Sequence, residues 1–290
     1  MNLKFWILSL RYKTLGASFS PVIVAGSLAY SRSLLNMKLF LCSLLCALLI
    51  QIGTNLANDY YDFIKGANLS SKESAKMIQS GIIKLSQIKT AFIIVFLTAI
   101  LIGIYLVEIG KFPIFVIGVL SICLGILYTA GSYALAYIGY SEFFVIIFFG
   151  PVAACGTYYI QTLKFDHLVF IAGLAPGFLS CALLVINNLR DMDHDKIVGK
   201  KTLAVRFGGN FAKFEYLFLI LATSSIPVFL FIFTKDQSFL LVTCIIIIFS
   251  FPNIRLTYNV NNAEQLNKVL SNTGGLLFLL GFLISFCFLI

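Results

Sequence analysis

The chain has 290 residues, 60% of them hydrophobic and 11% charged, with a mean hydropathy of +0.97. That much apolar surface exceeds what one soluble core encloses, so composition excludes a water-soluble protein and indicates an all-α, polytopic membrane protein. The net charge of +9 does not indicate nucleic acid, because the basic residues flank apolar runs and form no stripe for a duplex to follow; a lipid bilayer and an anionic substrate are the expected partners.

In chain order, Lys4, a short apolar stretch, then Arg11 and Lys13 precede the first long run, with no small-residue cleavage site. This reads as a retained cytoplasmic lead-in and not as a removed signal. Runs of about 18 apolar residues, the length that crosses a bilayer, follow near 15–31, 39–57, 88–107, 113–132, 142–161, 168–188, 214–233, 237–254 and 273–290. About nine transmembrane helices are expected, in a single domain over 1–290. Basic residues in short loops stay cytoplasmic. With the N-terminus inside, only Arg32, Lys38, Lys111, Lys164 and Lys235 of the 21 Lys and Arg fall outside. All seven cysteines lie within apolar runs without metal-ligand spacing, and read as small core or lipid-facing residues.

The longest polar stretches, about 58–87 and 189–213, follow the second and sixth spans, and each opens on an Asn/Asp cluster. The first is Asn55-Leu-Ala-Asn58-Asp59-Tyr-Tyr-Asp62; the second runs from Asn187-Asn188 through Arg190-Asp191 to Asp193-His194-Asp195. Four spans separate them, as in a parallel internal repeat. If each helix continues through its cluster, Asn55, Asn58, Asp59 and Asp62 share one face, and so do Asn187, Asn188, Asp191 and Asp195. A single terminal Asp ordinarily just solvates a helix end, but acids at the edge of hydrocarbon, duplicated with in-register amides, mark a functional site. Carboxylate and amide oxygens suit Mg²⁺, which fills its other positions with water and substrate phosphate oxygens. Two such faces could hold a diphosphate between them through bridging metals. Lys65, Lys76, Arg190, Lys196, Lys200 and Lys201 suit the oxygens of a diphosphate, with Lys76 and Arg190 preferred, although each also serves the positive-inside rule.

These residues match a family. Asn187-Asn188-Leu189-Arg190-Asp191 through Asp195-Lys196, then Gly199-Lys200-Lys201-Thr202-Leu203-Ala204-Val205-Arg206, resembles the second signature of the UbiA-type intramembrane prenyltransferases. The subgroup most similar is that of the 1,4-dihydroxy-2-naphthoate polyprenyltransferases of menaquinone synthesis. Asn58-Asp59-Tyr60-Tyr61-Asp62-Phe63 before Lys65-Gly66 resembles its first signature, and so do Trp6 to Thr14, Gly125 to Thr129, Gly150-Pro151 and Gly156 to Gln161. The chain departs at Asn68, where the subgroup usually has an acid, at Lys76 for Arg, at Tyr12 for Pro and at Ser132 for Pro. Tyr128 is followed four residues on by Ser132, so the Tyr-x-x-x-Lys element of other members is absent, which favours the naphthoate subgroup.

The resemblance implies a helical bundle around a central cavity open to the cytoplasmic side of a bacterial inner membrane. It implies Mg²⁺ at Asp62 and Asp191, helped by Asn58, Asp59, Asn188 and Asp195. A polyprenyl diphosphate donor would ionise to an allylic cation, which 1,4-dihydroxy-2-naphthoate attacks with loss of carbon dioxide. Catalysis falls to Asn58, Asp62, Asp191 and Asp195, and donor diphosphate binding to Lys65, Lys76, Arg190 and Lys196. Arg11 and Tyr128 would meet the acceptor or shield the cation; Tyr158 and Tyr159 are further candidates for shielding, though core packing explains tyrosines equally well. His194 reads as a loop residue. Another acceptor, homogentisate, 4-hydroxybenzoate or a lipid phosphate, is the alternative within the class. A cation-coupled transporter would place its acids near the bilayer midplane on broken helices, and a structural scaffold needs neither cluster.

The charge asymmetry makes a topological prediction. In a chain stripped of native cysteines, Lys72→Cys should label from the cytoplasm and Asp236→Cys from the opposite face; labelling of both from one side refutes the expected topology.

Overall fold

The computed structural model describes residues 6, 10–66, 77–131, 134–259 and 262–290. They are helical, with no strand among them. A 3₁₀ turn, Tyr12–Thr14, leads into α1, Gly16–Ser31. Helix α2, Met37–Ile64, begins at Asn36, whose side chain accepts from the backbone N–H of Lys38 and Leu39, a standard use of Asn at a helix start. Helix α3 runs from Leu85 to Leu127, and a short α4, Leu135–Ile138, follows it. Helix α5, Ser141–Ile147, passes through a π-type turn at Phe148–Val152 into α6, Ala153–Thr162. Then come α7, His167–Ile197, the short α8, Leu203–Phe207, and three long helices, α9 Gly209–Thr234, α10 Ser238–Tyr258 and α11 Ala263–Leu289.

Seven of the described helical segments are long and apolar enough to cross a membrane. The spans expected at 88–107 and 113–132 form one 43-residue helix bent at Lys111, two residues before Pro113. Proline removes a backbone donor and its ring crowds the preceding turn, so the chain turns sharply there without a loop. The span expected at 15–31 is α1, 16 residues long.

Several helices outrun their apolar runs. Helices α2 and α7 continue through the Asn/Asp clusters to Ile64 and Ile197, which satisfies the condition for a shared face. Helix α11 begins at Ala263, well before the apolar run at 273, because Asn262 caps it by accepting from Gln265 N–H at 2.9 Å. Glu264 in its first turn suits the positive end of the helix dipole.

Helix α7 is the most buried of the seven and forms the centre of the bundle. Small residues along it, Ala172, Gly173, Ala175, Gly177 and Ala182, are buried among α1, α6, α9 and α11. Close approach of backbones is how helices associate in lipid, where no hydrophobic drive separates helix from solvent. The π-type turn shows it most sharply. A Cβ at Gly177 would lie 2.4 Å from the carbonyl oxygen of Ile146, and one at Gly150 would lie 2.8 Å from that of Gly173. All seven cysteines are free thiols, Cys181 and Cys287 buried, Cys123 and Cys244 exposed.

Candidate functional site

The C-terminal ends of α2 and α7 arrive at the same end of the bundle with their cluster faces turned inward. Asn55, Asn58, Asp59 and Asp62 are all buried, as are Asn188, Asp191 and Asp195. Between them lies a cavity of about 690 Å³, whose polar mouth includes Asn58, Asp62, Asn188, Asp191 and Asp195. Below the mouth the wall is apolar, with Leu106, Ile114 and Ile117 from α3 facing Phe144, Phe148, Phe149 and Val152 from α5 and the π-type turn.

What joins the two clusters is Lys200. Its ammonium lies 3.1 Å from Asp62 Oδ1 and 3.7 Å from Asp195 Oδ1, so one cation touches a carboxylate from each motif. The placement follows from the way α7 ends. Gly199 takes a left-handed conformation at φ 76°, Lys200 N–H donates to the Asp195 carbonyl at 2.8 Å and Gly199 N–H to that of Lys196 at 3.4 Å. This is the Schellman arrangement, which glycine favours because it lacks a Cβ, and it folds Lys200 back over the helix end. The sequence alone offered Lys200 as one of several diphosphate cations; the Gly199 stop was the signal for its return.

The other acids have their own partners. Asp191 accepts from its neighbour Arg190 through both oxygens, at 2.8 and 2.7 Å, the planar fork that suits a carboxylate. Arg190 also donates to Asn187 at 2.7 Å and to Asn267 of α11 at 2.9 Å. Asn267 was missed because it lies in the polar first turns of α11, outside any apolar run; the Asn262-x-x-Gln265 capping pattern was the available signal. Asp59 is buried, is not among the residues that line the cavity, and pairs with Arg11. Arg11 does line the cavity, and the carboxylates of Asp59 and Asp62 raise its pKa despite the opposing effect of burial. Asn58 accepts from the Thr129 hydroxyl at 2.7 Å. Asn188 donates to Glu142 at 3.0 Å. Sequence reasoning passed over Glu142 as part of an apolar span, although an acid inside such a run is itself the signal.

Not every expected residue joins the cavity. Lys65 donates to the carbonyls of Thr129 and Gly131, both at 2.7 Å, and its ammonium sits 4.1 Å from the centre of the Tyr137 ring. It thus holds the loop after α3 to the end of α2, and it does not line the cavity. Lys200 lies 5.4 Å from the same ring, so Tyr137 offers its π-face to two cations. Burial, then Asp62 and Asp195, push the Tyr137 phenol well up, which keeps it neutral. Burial lowers the Lys65 pKa, with Asp62 opposing and Lys200 reinforcing. Lys196 is exposed outside the cavity, and His194 belongs to α7 and not to a loop. Tyr128 lines the mouth. Tyr158 and Tyr159 do not line the cavity: Tyr158 accepts from Arg32, which also pairs with Asp166, and Tyr159 stacks on Phe165 with ring centres 4.8 Å apart. Lys76, Asn68 and Ser132 lie outside the described residues.

The donors at the mouth are all oxygens, from carboxylates and amides, the chemistry of a hard divalent cation. Among the described residues no three carboxylate, His or Cys side chains converge on one point. The donors form two sets, one per motif, linked through Lys200. Such a pair of sets suits cations that also take oxygens from a bound phosphate, and the residues present therefore fit Mg²⁺.

The sequence pattern of the UbiA prenyltransferase family matches residues 18–288. The 1,4-dihydroxy-2-naphthoate octaprenyltransferase of Escherichia coli (strain K12) is 36% identical over 210 residues, 70% of this chain and 68% of that protein. The protein of the same name from Mycobacterium tuberculosis (strain ATCC 25618 / H37Rv) is 35% identical over 204 residues, 70% of each chain. Among solved structures, the apo UbiA homolog from Aeropyrum pernix K1 superposes with a TM-score of 0.71 at 12% identity, covering 93% of this chain and 98% of that one. A UbiA homolog from Archaeoglobus fulgidus bound to GPP and Mg²⁺ superposes at 0.61 with 15% identity, covering 94% and 99%.

The bridge through Lys200 is directly testable. Lys200→Met leaves Asp62 and Asp195 without their shared cation, so the metal-free protein in detergent should lose on the order of 2 kcal/mol of stability, read as a lower thermal unfolding midpoint. An unchanged midpoint would show that the bridge contributes nothing.

Proposed function

The chain belongs to the UbiA prenyltransferase family, and from that premise we propose that it transfers a polyprenyl group from its diphosphate to 1,4-dihydroxy-2-naphthoate with loss of carbon dioxide, giving demethylmenaquinol. The observation that carries this reading is the meeting of Asp62 and Asp195, from two distant motifs, on one ammonium at the head of an apolar cavity. A diphosphate needs counter-charge and an isoprenoid tail needs apolar walls, and this cavity presents them in that order. The naphthoate is supported by the activity for which relatives about one-third identical over 70% of the chain are named. The charge asymmetry supports a mouth on the cytoplasmic side of a bacterial inner membrane, with 1–290 acting as one domain.

The division of labour follows the geometry. Asn58, Asp62, Asn188, Asp191 and Asp195 would hold Mg²⁺, which would supply Lewis-acid charge neutralisation to the donor phosphates. Asp59 acts one step back, by holding Arg11. Arg190 and Lys200 lie at the mouth with N–H donors aimed among the carboxylates, and their charge stabilises the diphosphate as the C–O bond breaks and its electron pair leaves with the phosphate. The apolar wall of α3 and α5 excludes water from the allylic cation, and the Tyr128 ring shields it. The acceptor ring, electron-rich from its two hydroxyls, closes the carbon–carbon bond, and its carboxylate departs as carbon dioxide. Arg11, still charged beside Asp59, is the cation suited to orient that carboxylate.

Two outcomes test the reading. Asp62→Ala and Asp191→Ala should each abolish turnover while the protein still inserts and purifies, and wild-type rates after complete chelation of divalent metal would end the metal assignment. With a panel of acceptors at matched concentration, homogentisate and 4-hydroxybenzoate should be poor substrates, since a site that pairs its ligand's polar groups rejects analogues lacking them by roughly 10⁴-fold. Mass spectrometry showing faster prenylation of either one than of the naphthoate would overturn the acceptor and leave the metal argument standing.

A further inference from the structure

Glu142 stands in the first turn of α5 and is 7% exposed. It does not line the cavity, and no cation pairs with it among the described residues. Its two oxygens accept from neutral donors instead, Oε2 from the Ser141 hydroxyl at 2.9 Å and Oε1 from the Asn188 amide at 3.0 Å. A dehydrated carboxylate without a counter-cation is unfavourable, so packing gives no reason for an acid at this place.

The Asn188 amide supplies one. An Asn side chain offers an accepting oxygen at one end and a donating NH₂ at the other, and a flip exchanges them. A carboxylate only accepts, so Glu142 keeps the NH₂ end on its own side and leaves the amide oxygen for the cavity that Asn188 lines. We infer that Glu142 is a positioning residue, which locks the Asn188 amide with its oxygen toward the divalent cation. The inference rests on the reading of Asn188 as a metal-facing donor. Outer groups that orient ligands in this way typically change metal affinity by 10- to 100-fold when removed. Neither α5 nor α7 achieves this alone; it requires the close crossing at Gly150 and Gly177 that sets the start of α5 against α7.

Glu142→Gln keeps the shape but both donates and accepts, so it no longer selects one orientation of Asn188. The experiment is a Mg²⁺ titration of the purified protein in detergent with geranyl diphosphate present, read by thermal unfolding and, in parallel, by prenyl transfer. In Glu142→Gln the Mg²⁺ concentration for half-effect should rise on the order of tenfold, while the metal-free unfolding midpoint and the rate at saturating Mg²⁺ stay near wild type. Glu142→Asp should restore part of the affinity, and Ser141→Ala, which loosens Glu142 without removing it, should shift the titration in the same direction by less. In an Asn188→Ala background, Glu142→Gln should add nothing further. A lowered metal-free midpoint with an unmoved titration, or additive shifts in the double variant, would overturn the inference. A wild-type protein with no Mg²⁺ response would overturn the metal reading as well, whereas a wild-type response that Glu142→Gln leaves in place overturns this inference alone.

Discussion

Five carboxylates, Asp59, Asp62, Glu142, Asp191 and Asp195, are buried toward one end of a bundle whose other surfaces are largely hydrocarbon. Dehydrating an acid without compensation is among the largest penalties available to a fold, so the site is organised by the partners those acids take. Asp59 takes Arg11 and Asp191 takes Arg190, while Asp62 and Asp195 share Lys200. The pairings of Arg11 and Lys200 join separate parts of the chain, and Arg190, paired with its neighbour in α7, also reaches another helix. Arg11 ties the segment before α1 to α2, Lys200 ties the turn after α7 to α2, and Arg190 reaches across to Asn267 on α11. The charges that suit a metal-bound diphosphate thus also hold the bundle's mouth together when none is bound.

That double use explains the asymmetry between the two ends of the molecule. The far end has Arg32 with Asp166 and Tyr158, and a bend at Lys111, which lock helices together without forming a cavity lined by acids. At the site end, Arg11 and Lys200, in the segments before α1 and after α7, themselves line the cavity. Lys65 shows the boundary between these roles. It stands only three residues after Asp62, yet two of its three N–H donors go to the carbonyls of Thr129 and Gly131 and fix a loop, while Lys200, far along the chain, occupies the place between the acids.

Most of the helices were legible because a bilayer forces long apolar runs, and a run of that length has one economical structure when no water is present to satisfy the backbone. The signals that failed were the ones that apolar counting ignores. Helix α11 starts at a polar cap, not at its apolar run, and α3 joins two expected spans because Pro113 produces a bend without a loop. The two Asn/Asp faces were legible from helical spacing alone, since offsets of three, four and seven stack side chains whatever the tertiary structure.

By itself the sequence determined that the chain is a helical membrane protein, that it carries two oxygen-rich faces, and that its motifs resemble those of prenyltransferases, because composition and local periodicity are properties of single segments. Only the tertiary structure decided which cation meets which acid. Lys65, Lys196 and Lys200 are equivalent as letters near a cluster, but one clamps a loop, one is exposed outside the cavity and one bridges Asp62 to Asp195. The same holds for Asp59, which shares the helical face of Asp62 yet turns to Arg11, and for Glu142, whose contact with Asn188 spans separate helices. Hydrogen bonds and contact ion pairs form only when the atoms come within about 3 to 4 Å, so pairing depends on distances that helix packing sets and no local pattern encodes.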